Sequence, residues 1–150
     1  MENKTNAYFF MFVLLVLGTA VPTTALSESM GKLTVNISGF PSSDGFAMVA
    51  LHNSEKSYQG EEAGAVDTKR VPVMDQKTHV VFENLAFGSY GVALYHDENV
   101  NGKLDTNAMG IPKEAYGFSN NARSFFGKPG YKDVMFEMNS VEKRITINIE

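Results

Sequence analysis

Branched apolar residues alternate with polar ones near both ends of this chain. Leu33, Val35 and Ile37 alternate with Thr34, Asn36 and Ser38, and Ile145, Ile147 and Ile149 with Thr146, Asn148 and Glu150. A period of two puts every second side chain on one face of an extended strand, so each run offers one apolar and one polar face. Between them, residues 46–52, 66–73, 79–82, 90–96 and 133–138 read as further strands. Pro41-Ser42-Ser43-Asp44-Gly45, Asp75-Gln76-Lys77 and Asn139-Ser140 supply turns. Pro72 cannot donate to a ladder, which sends its strand to an edge or a bulge. Seven short strands without a long helix predict an all-β fold, a seven-stranded, mainly antiparallel Greek-key β-sandwich. Its expected core is Leu33, Val35, Phe82, Leu85, Tyr90, Val92, Leu94, Phe136, Ile145 and Ile147.

The first 25 residues have another purpose. Residues 1–6 are polar and carry Lys4, residues 8–20 are an almost unbroken apolar run, and small residues with Pro22 follow. This is the layout of a secretory signal peptide, with cleavage expected after Ala25. Its apolar core is too short for a spanning helix, which needs about 20 residues. The expectation is an exported domain over residues 26–150, periplasmic or extracellular, with no integral membrane segment after cleavage. Glu2 and Lys4 leave together, so the net charge stays at −4, and this mild overall acidity argues against a nucleic-acid partner and against attraction to anionic lipid. The chain has no cysteine; disulfides, thiol catalysis, thiolate zinc sites and lipidation at an N-terminal cysteine are all excluded.

Residues 106–132 break the strand rhythm over a length unusual for a loop. They hold Tyr116, Phe118, Phe125, Phe126 and Tyr131, too many aromatics for disorder. An ordered insertion packed on the sandwich is expected. Pro112 is a candidate to open a helical turn over residues 113–116, and Asn120 or Asn121 to cap another ending at Gly127.

Just before it stands Asp97-Glu98-Asn99-Val100-Asn101-Gly102-Lys103-Leu104-Asp105. Oxygen side chains occupy loop positions 1, 3, 5 and 9, with Gly at 6 and an apolar residue at 8. Calcium takes six to eight oxygens, and alternate residues of a tight loop can wrap one ion. Asp97, Asn99, Asn101 and Asp105 are the candidate ligands, Lys103 offers its carbonyl, Gly102 allows the turn, and Leu104 would anchor the loop in the core. Position 12 is Ala108 rather than a bidentate Glu, so a ligand must come from elsewhere; Glu114 and Asn107 are nearest. The competing reading is an Asn-Gly turn with solvated acids. Hard oxygen donors favour calcium as the ion.

Other chemistry has thinner support. If the strands carrying His52 and His96 are neighbours, the two imidazoles could meet near Asp97 in a His/His/carboxylate metal site. No nucleophile-elbow motif is present and the serines cluster in turns. No glycine-rich phosphate cradle precedes a helix. Arg123 either binds an anionic ligand or anchors its loop.

The run Phe82-x-x-Leu85-x-x-Gly88-x-Tyr90-x-Val92 resembles the strand-turn-strand signature of prealbumin-like and carboxypeptidase-regulatory-like sandwiches. Its continuation is residues 90–99, then Asn101-Gly102-Lys103-Leu104-Asp105-Thr106-Asn107, Gly110-Ile111-Pro112-Lys113-Glu114 and Tyr116-Gly117-Phe118-Ser119-Asn120-Asn121-Ala122. This is similar to the bacterial domain of unknown function 2141 family (DUF2141), over roughly residues 33–147. The resemblance implies an exported bacterial β-sandwich and no activity. The expected function is a non-catalytic envelope module that binds calcium at residues 97–105. It would meet a ligand or partner (an envelope protein, peptide or glycan) through Tyr116, Phe118, Asn120, Asn121 and Arg123. The alternatives are an assembly component of an envelope complex, and a metal-assisted hydrolase using His96, Asp97 and Glu114.

Overall fold

The computed structural model describes residues 29–61 and 64–149; the leader read over residues 1–25 lies outside them. The described residues form eight strands in two sheets, an all-β sandwich. In chain order they are β1 (Met30–Ser38), β2 (Phe46–His52), a short helix α1 (Glu55–Gln59), β3 (Asp67–Pro72), β4 (Lys77–Ala86), β5 (Gly88–Asp97), β6 (Tyr116–Phe118), a short helix α2 (Tyr131–Val134), β7 (Phe136–Met138) and β8 (Glu142–Asn148). One sheet has the order β4-β1-β8 and the other β3-β2-β5-β6, with β7 also on β5.

The two alternating runs at the chain ends are side by side. β1 and β8 pair in parallel, Val35 opposite Ile145 and Ile37 opposite Ile147, while β1 and β4 pair antiparallel. Leu33, Val35 and Ile147 are wholly buried, Ile37 nearly so, and Ile145 half-buried. They meet Ala47, Val49 and Leu51 of β2 and Tyr90, Val92 and Leu94 of β5 in one core. Pro72 closes β3, an edge strand, where its missing N–H costs no ladder bond.

The Phe82–Val92 signature has a mechanical role. Here the chain leaves one sheet and enters the other, with Phe82 and Leu85 buried before the crossing and Tyr90 and Val92 after it. The Tyr90 hydroxyl donates to the carbonyl of Ala86 at 2.9 Å, tying the new strand back to the end of the old one. Tyr90 thereby stays in the core without an unsatisfied hydroxyl.

Three local expectations are corrected. Residues 131–134 are helical, so the strand expected at 133–138 shrinks to Phe136–Met138. Pro112 opens no helix and lies in an isolated bridge with Thr106; Tyr116 is already in β6. The Asn120–Asn121 region is a single 3-10 turn, Ser119–Asn121, rather than the cap of a helix running to Gly127. Short segments with weak local propensity take the conformation that tertiary contacts impose: β6 and β7 pair with β5, and Ser119 bonds to Val92 and Val134.

A second, smaller apolar cluster lies outside the sandwich. Tyr58 of α1, Phe118 of β6, and Tyr131 and Val134 of α2 pack together with Ala93 and Tyr116. α2 can lie flat on the sheet because Gly91 has no side chain; a Cβ there would come within 3.1 Å of both Tyr131 and Val134. Ile147 is fully buried between the sheets. Ile147→Ala is therefore expected to cost about 2–5 kcal/mol in denaturant unfolding. Ile145→Ala, at a half-buried position, should cost clearly less.

Candidate functional site

Asp97 is the last residue of β5 and is fully buried. The β1–β2 turn makes it so. Gly45 adopts φ +69°, and a Cβ there would fall 2.0 Å from the Asp97 carbonyl oxygen, so only glycine lets the two backbones touch. On the same turn, the Asp44 carbonyl lies 2.6 Å from His96 Nε2, which donates to it. Ser42 Oγ donates to Glu98 Oε1 at 2.5 Å.

From this fixed base the chain folds back on Asp97. Its Oδ1 accepts the Asn101 N–H at 2.9 Å and its Oδ2 the Gly102 N–H at 3.0 Å. Asn99 Oδ1 also takes the Asn101 N–H, at 3.1 Å, and Asn101 Oδ1 takes the Lys103 N–H at 2.8 Å. The side-chain amides of Asn99 and Asn101 donate to the two oxygens of Asp105, at 2.6 and 3.0 Å. Glu114, nine residues further on, returns to the same loop, where its oxygens accept from Asp105 N at 2.9 Å and Glu98 N at 3.3 Å. Two carboxylates of the loop and one returning from the insertion thus bond to this loop, with two carboxamides between Asp97 and Asp105. Among the described residues, no three acidic or histidine side chains are grouped so as to hold a metal ion as they stand.

Gly102 has φ +75°, as its place at the turn requires, but Val100 also sits at φ +62°. A β-branched residue is strained there, by about 1–3 kcal/mol. The loop's own hydrogen bonds hold that strain. Two expectations are corrected. Leu104 is exposed and anchors nothing in the core. Asn107 is not drawn to the loop; its Oδ1 accepts the N–H groups of Met109 and Ile111 in a separate turn.

The paired-histidine idea fails on geometry. β2 and β5 are neighbours, but antiparallel, with Ala47 opposite His96 and His52 opposite Gly91. Five residues of strand separate the two rings, about 17 Å. They also take opposite faces: His96 follows Tyr90, Val92 and Leu94 inward, whereas His52 stacks edge-on against Tyr58 outside. His96 accordingly points away from the grouping it would need to form with Glu114.

In the insertion, Tyr116 and Phe118 form the strand edge beside Tyr95 and Ala93, and Phe118 is buried in the outer cluster. Asn120 Nδ2 donates to the carbonyls of Asp133 and Met135 at 3.1 and 2.9 Å. Asn121 Oδ1 accepts the Asn148 N–H at 2.8 Å, and Arg123 Nη2 donates to the Asn148 carbonyl at 3.1 Å. These side chains are occupied in tying the insertion to α2, the residue after it and β8, which favours the anchoring reading of Arg123. A groove on the described surface lies elsewhere, on the side lined by Ile37, Val71, Met74 and His79.

Sequence reasoning missed Ser119, Tyr58 and Lys128. Buried Ser119 takes the Val92 N–H at 2.9 Å and donates to the Val134 carbonyl. Tyr58 Oη donates to the Pro129 carbonyl at 3.0 Å, and Lys128 Nζ lies 3.5 Å from the centre of the Tyr58 ring. A readable signal did exist for α1. Ser54 caps its first turn by accepting from Ser57 N, and Gly60 closes it in a left-handed conformation.

Ser57 and His52 approach to 3.0 Å, but the Ser57 hydroxyl donates to the Gly64 carbonyl at 2.6 Å. The imidazole Nδ1 must then supply its own proton, which makes this pair a structural bracket rather than a nucleophile with its base. Burial, and then the nearby Lys128 charge, push the His52 pKa below its usual 6.5, against a smaller opposing effect of Ser57. A folded-state value below the unfolded one gives stability that is present above the unfolded pKa and lost as pH falls through the folded one. The melting temperature should therefore drop between about pH 7 and pH 5, and His52→Asn should make that drop shallower.

No curated protein and no solved structure matches the chain. Residues 35–146 match the family described as "Uncharacterized protein conserved in bacteria (DUF2141)". That span runs from the first core strand to the last and includes the whole 97–105 loop and the insertion. The chain belongs to the DUF2141 family.

Proposed function

We propose that this protein is a non-catalytic module of the bacterial envelope, exported by its leader, that holds one calcium ion in residues 97–105 and meets a partner through its insertion. The sandwich behind it is read as a prealbumin-like Greek key of seven framework strands, with β6 belonging to the insertion. The observation that carries the reading is that Asp97, Asp105 and Glu114 all bond to one loop, with Asn99 and Asn101 between the two aspartates. Drawing the three carboxylates together around a divalent cation would offset their mutual repulsion. The donors are all hard oxygens, which fits calcium. Asp97, Asn99, Asn101, Asp105, Glu114 and the Lys103 carbonyl would hold the ion, and its role there is to fix the loop rather than to drive a reaction. The carboxamides now donate to Asp105 while their oxygens accept the Asn101 and Lys103 N–H groups, so binding the ion would exchange these bonds for coordination by the same oxygens. Backbone strain at Val100 accords with a loop shaped for a task.

The non-catalytic reading is supported by the commitment of the Ser57 proton to Gly64 and by the inward orientation of His96. The partner reading is supported by the insertion's ordered attachment, which ends in large apolar side chains facing water.

Calcium binding to the folded state alone stabilises it by RT ln(1 + [L]/Kd), about 2.7 kcal/mol at a hundredfold excess over Kd. Calcium should raise the melting temperature by several degrees over chelator. Magnesium should do much less, since it demands octahedral geometry and holds its waters. Asp97→Ala and Asp105→Ala should each abolish the calcium shift. Equal melting curves in calcium and chelator, together with no heat in a calcium titration, would overturn the assignment.

A further inference from the structure

We propose that the tip of the insertion is a docking point for an anionic phospholipid surface, with Phe125 and Phe126 entering the interface and Lys132 contacting headgroup phosphates, while Arg123 and Lys128 fix the tip and add positive charge to it. This rests on the reading of the insertion as the contact surface, and it names the contact. Phe125 is 92% and Phe126 83% exposed. Their rings stack edge-to-face on each other with centroids 4.7 Å apart. Single exposed apolar residues are ordinary on a protein surface, but two adjacent phenylalanines almost wholly in water are not.

The tip is held in place from both sides. Arg123 is bonded to the Asn148 carbonyl, Lys128 lies on the Tyr58 ring, and the buried Pro129 accepts the Tyr58 hydroxyl. Within the tip, Ser124 Oγ donates to the Phe126 carbonyl at 2.8 Å, and Gly127 turns the chain at φ +66°. The aromatic pair is therefore presented in a fixed geometry, so docking need not order it first.

Charge selects the surface. Residues 115–132 contain Arg123, Lys128 and Lys132 and no acid, in a chain that has 13 basic and 17 acidic residues overall. All three residues are exposed. Aromatic residues at the interface combined with cations at headgroup level form the pattern that binds anionic bilayers. A convex tip needs no matching hollow to enter a fluid interface, whereas a protein partner would have to supply one.

The test uses purified protein, shown by mass spectrometry to lack residues 1–25, floated with phosphatidylglycerol-containing vesicles and with phosphatidylcholine vesicles. Chelator is present throughout, so that calcium cannot bridge protein to lipid. Binding should require the anionic lipid and weaken as salt rises. The double variant Phe125→Ala/Phe126→Ala should partition at least about tenfold more weakly, with an unchanged melting temperature because the two rings touch chiefly each other. Lys132→Gln should weaken binding as well. The chain has no tryptophan, so Phe126→Trp places one reporter at the tip; its emission should shift to the blue on anionic vesicles. Failure of the intact protein to float, full binding by the double variant, or unshifted emission from Phe126→Trp each overturns the proposal. None of these outcomes bears on the calcium assignment, which is read by melting without lipid.

Discussion

Strand β5 has both edges paired: β2 covers one side, and β7 and β6 divide the other between its beginning and its end. A strand so enclosed cannot slip by one residue without turning Tyr90, Val92, Leu94 and His96 out of the core and losing ladders on both sides at once. Its inner face gives Tyr90, Val92 and Leu94 to the sandwich core, and its outer face is the floor for α2. Its last residue is the first ligand candidate of the loop. The position of Asp97 is thus inherited from a strand paired on both edges, and a carboxylate placed so firmly can organise the chain that follows.

That inheritance explains how a loop with few apolar contacts is so well defined. Asp97 gathers the N–H groups of Asn101 and Gly102, Asp105 gathers the amides of Asn99 and Asn101, and Glu114 returns to clasp Asp105 and Glu98. Hydrogen bonds to carboxylates are stronger than neutral ones, and enough of them converge to hold Val100 in a conformation it disfavours. The insertion beyond is fixed by a different means. Ser119, Asn120, Asn121 and Arg123 bond to backbone of β5, β8 and the segment around α2, while Phe118, Tyr131 and Val134 bury apolar area against Tyr58. Loop and insertion meet again through Glu114 and Lys113, while the far part of the insertion rests on its own supports.

The outer layer also gives the small helix α1 its purpose. Five residues cannot sustain a helix alone. Tyr58 nevertheless carries one side of the outer cluster, and its hydroxyl and ring receive Pro129 and Lys128. Burial, and then Asp133, raise its phenol pKa well above the usual value, so the hydroxyl remains a donor to Pro129 at any physiological pH.

Much of the framework was legible in the residues themselves. Alternation at 33–38 and 145–149 determined which side chains are buried, because a period of two leaves one face to choose, and the choice follows hydrophobicity. The missing ligand at loop position 12 likewise pointed to Glu114 and Asn107, of which only Glu114 returns to the loop. What the residues could not decide were relations between distant segments. Parallel pairing of β1 with β8, the antiparallel order that sends His52 and His96 to opposite ends and faces, and the short strand β6 all depend on pairing partners far apart in the chain. Asn120, Asn121 and Arg123 read as ligand candidates because they are polar residues in an aromatic loop. Tertiary structure assigned them to backbone groups of other segments, since buried and half-buried peptide groups must find partners and sequence does not say which ones will be near.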